Sequence, residues 1–263
     1  MSYLEDYYSN YDEDARLERK HGQVEFLTSM RYIEKYLRAK PSAYVAEIGA
    51  GTGRYSRAIA DMGFRVEAVE LIQHNIEVFK TLITPKQNIH VTQGNALDLT
   101  MFKNDMFDIT LMLGPMYHLY NDADKHKAVS ETLRVTKPGG IVFVAYCISD
   151  ASVLYDAFAN NLQWTSHCID KGQIDPITFD TKNLPEDIFE IVRKDDIDRL
   201  MGSFPVERLH YVATDMISRF LRESLANMSD NAFELYLKFH FVVCERPDMV
   251  GLTHHSLDIF KKL

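Results

Sequence analysis

Val45-Ala46-Glu47-Ile48-Gly49-Ala50-Gly51-Thr52-Gly53-Arg54 decides the fold. A short apolar segment runs into a turn with glycines at 49, 51 and 53, and a helical pattern follows. Glycines let the backbone turn sharply and let a ligand approach the main chain. The free N–H groups of the following helix favour a negative group. Such a turn also occurs for purely structural reasons, so its neighbours must decide its meaning.

Working outward, strand-like and helix-like segments alternate from residue 44 to residue 146. Tyr44–Ile48, Arg65–Leu71, Ile89–Thr92, Phe107–Leu113 and Ile141–Tyr146 read as strands. Between them, Tyr55, Ile59 and Met62, then Ile72, Ile76, Phe79 and Ile83, fall at helical spacing. Asp122–Val135 is a further helix, ending before Lys137-Pro138-Gly139-Gly140. This alternation predicts an α/β fold, a doubly wound, mostly parallel sheet with helices on both faces. Upstream, Phe26, Met30, Ile33 and Leu37 form one helical stripe. Downstream, Val206–Thr214 reads as a sixth strand, with helices over Met216–Leu225 and Asp230–Cys244. His254–Phe260 reads as a final edge strand.

The chain reads as one domain, residues 1–263. It divides into an N-terminal helical lid (1–40), a cofactor-binding half (41–147), a cap insertion (148–204) and C-terminal strands and helices (205–263). The stretch Ser149–Phe204 is too long for an ordinary connection, which is why it reads as a cap. Leu154, Phe158 and Leu162 mark a helix in it, and the single tryptophan, Trp164, reads either as a cap-core residue or as a wall for a substrate.

The second chemical signal is Glu70, at the end of the second strand and about 20 residues after the turn, where a carboxylate accepts hydrogen bonds from both hydroxyls of a ribose. Two cofactor classes use this pair. A dinucleotide fingerprint places its third glycine where Arg54 stands. Glu47, two residues before the first glycine, would repel a pyrophosphate and attract the ammonium of a methionine moiety. The pattern favours S-adenosyl-L-methionine over a nicotinamide cofactor, which leaves an NAD(P)-dependent oxidoreductase as the distant alternative.

With these residues in place, the chain resembles the class I S-adenosylmethionine-dependent methyltransferase family. Glu47 to Gly53 followed by Glu70 is similar to its first two motifs. Gly94-Asn95-Ala96-Leu97-Asp98-Leu99 is similar to the third, Phe107-Asp108 through Leu113-Gly114-Pro115 to the fourth, and Leu133 to Gly140 to the turn before strand five. The likeness covers about residues 40 to 147. It implies a seven-stranded Rossmann-like sheet with an antiparallel last strand inserted beside strand five, a place His254–Phe260 fits. It also implies that Gly49, Ala50 and Gly51 line the methionine portion, that Glu47 faces its ammonium, that Glu70 binds the ribose and Leu71 packs near the adenine, that Asn95 and Ala96 meet the adenine edge, and that Leu113 lies near the sulfonium. The family more often has Asp at the position of Asn95, and an amide still accepts and donates there.

The segment Leu113-Gly114-Pro115-Met116-Tyr117 lacks the Asn/Asp-Pro-Pro-Tyr pattern of enzymes acting on nucleobase amines. With His118 it looks more like the small-molecule branch, and Tyr117 and His118 become the catalytic candidates, His118 as base or as orienter of the acceptor. Tyr3, Tyr7, Tyr8 and Tyr11 precede the first core helix densely enough to form a lid, with Tyr11 placed toward the cofactor and ring faces suited to a sulfonium. Lys20, His21 and Glu25 read as a surface network.

Composition bounds the partners. The chain has 263 residues, 46% hydrophobic and 25% charged, with a formal net charge of −9. That acidity weighs against a long nucleic acid as substrate; Arg16, Arg19, Lys20 and His21, interrupted by Glu18, read as a solvated helix face. No apolar run is long enough for a bilayer. The acidic start (Glu5, Asp6, Asp12, Glu13) does not read as a secretion signal. Cys147, Cys168 and Cys244 have no zinc-site or disulfide spacing, and a cytoplasmic setting is the simple expectation. The function expected is methyl transfer to an oxygen or nitrogen of a small molecule, with an RNA or protein methyltransferase of the same fold as the alternative.

Overall fold

In a computed structural model of the chain, residues 3–11 and 17–263 are described; Asp12, Glu13 and Arg16 lie outside them. Helix α1 (Tyr3–Ser9) and the long α2 (Lys20–Ala39) precede the sheet. β1 (Tyr44–Ile48), α3 (Arg54–Asp61), β2 (Arg65–Glu70), α4 (Gln73–Leu82), β3 (Ile89–Gln93), β4 (Phe107–Met112), α5 (Asp122–Val135) and β5 (Thr136–Ile148) follow the alternation the sequence predicts. The strand order is β3-β2-β1-β4-β5, all parallel. Every residue of β4 is buried, as a strand covered on both faces requires. One apolar cluster packs on each face, the first around Phe107, Leu133 and Val144, the second around Ile33, Ile59 and Phe143.

Beyond β5 the chain forms β6 (Ile191–Val192), α8 (Lys194–Met201), β7 (Val206–Ala213), α9 (Arg222–Ala226), α10 (Asp230–Val243) and β8 (His255–Lys262). The seven long strands complete the Rossmann-like sheet, and the two-residue β6 pairs with the last residues of β5.

The edge assignment of His254–Phe260 is corrected. β8 lies inside the sheet, antiparallel to β5 on one side and to β7 on the other, so β7 is the edge. Ser256 to Phe260 are buried without alternation, the mark of an interior strand. The helix expected over Met216–Leu225 shrinks to α9, because Met216 adopts φ +43°, which a helix does not admit.

The expected cap divides in two. α8 buries Ile197 and Met201 in the main core, so it belongs to the sheet layer. The rest, residues 149–190 between β5 and β6, begins with α6 (Ser149–Ser152), which continues into a π-helical stretch, Val153–Asn160, and then α7 (Leu162–Asp170). Val153, Ala157, Cys168 and Ile174 form a small core of their own. In that wider helical register Leu154 and Phe158 point outward, 43% and 53% exposed. No helix among the described residues is long and apolar enough to cross a membrane.

Candidate active site

The sheet order changes direction between β1 and β4, and ligands of open α/β sheets bind outside the strand ends at such a point. A cavity of about 270 Å³ lies there. Glu47, Gly49, Ala50, Gly51, Glu70, Leu71, Asn95, Ala96, Leu113, Tyr117 and His118 all line it, each on a segment following β1, β2, β3 or β4 or at the end of the strand itself.

The turn after β1 is fixed by contacts only glycine permits. Gly49 has φ +74°, and a Cβ there would meet the Pro115 ring at 2.6 Å. Gly53 has φ +80°, and a Cβ would fall 2.0 Å from the Phe79 ring. The first glycine brings the β1 turn against the β4 loop; the second lets α3 pack on α4.

Two carboxylates flank the turn. Glu70 Oε2 accepts from Gly51 N at 2.8 Å, and Oε1 accepts from Ile72 N at 2.9 Å and Asn75 Nδ2 at 3.2 Å. Burial raises its pKa, and these donors work against that rise. Glu47 is buried to 1% exposure and accepts from the Ser56 hydroxyl. Burial raises its pKa to about 8, and the nearby Glu70 charge adds to the rise. Among the described residues no cation pairs with this carboxylate, and an incoming ammonium would compensate its charge. This donor set fits S-adenosyl-L-methionine.

The loop after β4 carries a 3₁₀ turn, Pro115–His118. Tyr117 donates to Leu113 O at 2.7 Å. His118 Nδ1 lies 2.8 Å from Ile188 O, so it carries the proton, and Nε2 is left to accept from the Tyr8 hydroxyl at 2.9 Å. Burial lowers the His118 pKa to about 4, so the ring is neutral across the ordinary pH range. Both ring nitrogens are thus engaged by the protein, a geometry suited to orienting rather than to proton abstraction.

A second cavity, of about 530 Å³, adjoins the first. Tyr7, Tyr11, Tyr155, Trp164 and Phe189 line it, and Tyr8, Glu25, Tyr117 and His255 line both cavities. Of the N-terminal tyrosines, Tyr7 and Tyr11 line the second cavity, while Tyr8 lines both. Trp164, 41% exposed, lines the second cavity and is not in the cap core; Leu154 and Phe158 are not among the lining residues. Lys20 turns toward Met228 O and Asp230, whereas His21 and Glu25 face the second cavity, so that trio is split between two faces of α2. Asp108, in the fourth motif, sits at the opposite end of the sheet and binds Lys40, Lys137 and Tyr44 N.

Several site residues escaped the sequence reading. Ser56 and Asn75, which hold Glu47 and Glu70, stand in the first turns of α3 and α4, where a side-chain donor was there to be noticed. Asp215, His255 and Glu25 carried no local signal. His255 Nδ1 lies 2.9 Å from Asp215 Oδ2 and 3.4 Å from Glu25 Oε2.

Comparisons with known proteins bear on the fold and on the class of cofactor. Residues 46–144 match a family model described as a methyltransferase domain. The chain is 30% identical over 135 residues to a ubiquinone/menaquinone biosynthesis C-methyltransferase of Vibrio campbellii, covering 47% of this chain and 50% of that one. It is 33% identical over 115 residues to a demethylmenaquinone methyltransferase of Renibacterium salmoninarum, covering 44% and 46%. The chain thus spans about half the length of the curated relatives it matches. Among solved structures, a SAM-dependent methyltransferase of Methanosarcina mazei superposes with TM-score 0.58 at 16% identity, covering 88% of this chain and 97% of that one. A Thermotoga maritima protein described as a SAM-dependent methyltransferase and possible histamine N-methyltransferase gives 0.55 at 15% identity, with 99% of both chains covered. These structures share the fold.

Proposed function

We propose that this chain works as a class I S-adenosylmethionine-dependent methyltransferase and transfers the methyl group to an oxygen or nitrogen of a small-molecule acceptor bound in the second cavity. The observation that carries the reading is the wall shared by the two cavities at Tyr8, Glu25, Tyr117 and His255. A cleft lined by several aromatic rings suits a small, partly apolar molecule better than a polyanion. The relatives named for C-methylation make a carbon nucleophile the second reading.

When bound, the cofactor supplies an electrophilic methyl group on a good leaving group. The chain's contribution is alignment and exclusion of water, worth several kcal/mol. In this reading Glu47 takes the ammonium, Gly49, Ala50 and Gly51 admit the methionine portion, Glu70 binds the ribose, Leu71 packs on the adenine, Asn95 and Ala96 meet its edge, and Leu113 approaches the sulfur. Tyr11 and Tyr117 wall the acceptor. His118 orients, holding α1 down through Tyr8. The free, buried cysteines fit a cytoplasmic setting.

The test is a screen of metabolite pools for transfer of a labelled methyl group, with the modified atom located by mass spectrometry and NMR. A small oxygen or nitrogen product is the expected result. A product methylated at carbon selects the second reading. Transfer only to folded RNA or to protein overturns both.

A further inference from the structure

The mechanism above leaves one cluster on the shared wall unused. His255 opens β8, beside Cys147 at the end of β5. Its Nδ1 faces Asp215 Oδ2 at 2.9 Å and Glu25 Oε2 at 3.4 Å. Asp215 is itself fixed: its Oδ1 accepts from the Thr253 hydroxyl at 2.7 Å and from the backbone N–H groups of His254 at 2.9 Å and His255 at 3.0 Å. The ring is thereby held by its Nδ1 side. Among the described residues Nε2 has no hydrogen-bond partner, and His255 borders both the cofactor cavity and the acceptor cavity. A carboxylate on Nδ1 with Nε2 left for the reacting group is the arrangement of a general base and its orienter.

We propose that His255, oriented by Asp215, is the proton acceptor of methyl transfer, and that it enters the reaction neutral because a positive sulfonium at the shared wall drives its proton off. This rests on the reading of the first cavity as the S-adenosylmethionine site. The methyl-bearing end must face the shared wall for an acceptor in the second cavity to reach it. There a positive charge disfavours an imidazolium. In the transfer step the acceptor's heteroatom bonds to the methyl carbon. The carbon–sulfur bond breaks with its electron pair left on sulfur, and the heteroatom's proton passes to Nε2. One positive charge leaves sulfur and one appears on His255, so the wall carries the same charge before and after.

The groups around His255 fit this use. Burial disfavours its charged form, yet Glu25 on α2, Cys147 on β5 and Asp215 after β7 together hold it well above the ordinary histidine range. Before a sulfonium arrives the ring therefore keeps its proton. On its own strand, His254 Nδ1 lies 3.4 Å from His255 Nδ1, and the Arg219 guanidinium is directed at His254 Nε2. Asp215, His254 and His255 have the residue types of a metal site, but a guanidinium at His254 favours a proton-handling cluster.

The test counts protons and needs no acceptor. Calorimetry at one pH in buffers of different ionisation enthalpy gives the protons released on binding S-adenosylmethionine and, separately, S-adenosylhomocysteine, which lacks the sulfonium charge. Both ligands carry the same ammonium, so any proton exchanged at Glu47 cancels in the difference. The wild-type protein should release up to about one more proton with the charged ligand near neutral pH. His255→Asn and His255→Gln should abolish that difference; freed of the cost of expelling a proton, they should bind S-adenosylmethionine at least several-fold more tightly than wild type relative to S-adenosylhomocysteine. His118→Asn should leave the difference at its wild-type value, because His118 is neutral already. Equal proton counts for the two ligands in the wild-type protein, or an undiminished difference in a folded His255 variant, would overturn the proposal. Should neither His255 variant unfold cooperatively, a wild-type pH series decides: the extra release must rise and fall over a bounded range, and a flat series overturns the proposal. Failure of the wild-type protein to bind either ligand is a different result and overturns the cofactor reading instead.

Discussion

The two cavities share a wall but are built differently. The first cavity is made of turns that follow successive strands, and its carboxylates are held by neighbours in sequence: Glu70 by Gly51, Ile72 and Asn75, Glu47 by Ser56. The second cavity gathers Tyr7 and Tyr11 from the start of the chain, Trp164 from the cap and His255 from the last strand. A crevice of backbone turns imposes glycines and carboxylates at fixed spacing; a cavity assembled from distant side chains imposes no spacing at all. The comparison can be broken at the glycines first. Gly53→Ala places a methyl group into the Phe79 ring at φ +80° and should cost about 3–4 kcal/mol in chemical denaturation. Gly172→Ala in the cap has φ +69° but no heavy atom within 4 Å of the new Cβ, and should cost about 1 kcal/mol. Equal costs would mean that the turn is no more constrained than the cap.

Glu47 tests whether the crevice is shaped for a cation. Its folded-state pKa of about 8 lies above the ordinary 4.5, so the folded protein binds the extra proton. Its contribution to stability is therefore present at low pH and is lost as pH rises from about 4.5 to about 8. Without ligand, Glu47→Gln should flatten the decline by roughly 2–4 kcal/mol between pH 5 and pH 9, read from parallel denaturation curves. An unchanged pH slope would show that Glu47 is already paired.

Glu70→Ala sharpens the comparison on the ligand side. It removes a buried carboxylate that both secures Gly51 and, in the proposed reading, binds the ribose. Cofactor affinity should fall by about 1.5–3 kcal/mol by calorimetry, with cooperative unfolding retained. Wild-type affinity in a folded variant would place the ribose elsewhere.

The same contrast explains what the sequence could tell. The order of strands and helices through residue 146 follows from apolar periodicity and from the glycine turn, because each element's pattern lies within its own segment. His254–Phe260 was legible from its own residues as a strand but not as an interior one, since its neighbours are set by the return of the chain; only the family resemblance placed it beside strand five, where the structure has it. Glu25 looked like part of a surface network because Lys20 and His21 stand beside it, yet the helix turns Glu25 inward toward a histidine 230 positions later. Tyr8 and Tyr11 are chemically alike in the sequence; only the path of α1 over the crevice separates them.

The smallest effect concerns the residue that belongs to both regions. Tyr8 lines both cavities and donates to His118 Nε2 at 2.9 Å, while its ring meets His118 edge-on at 5.6 Å and Tyr7 at 5.1 Å. Tyr8→Phe deletes the hydrogen bond and keeps both ring contacts, so α1 should still pack. A half-buried hydrogen bond of this kind contributes about 0.5–1.5 kcal/mol net. Cofactor affinity should therefore weaken about two- to tenfold, with global stability nearly unchanged, because α1 buries none of its residues in the main core. If His118 works through Tyr8, His118→Asn and Tyr8→Phe must not add: the double variant should lose little more affinity than either single one. Additive losses would separate the two residues, leaving α1 held by its aromatic contacts alone and His118 with a role that does not pass through the lid.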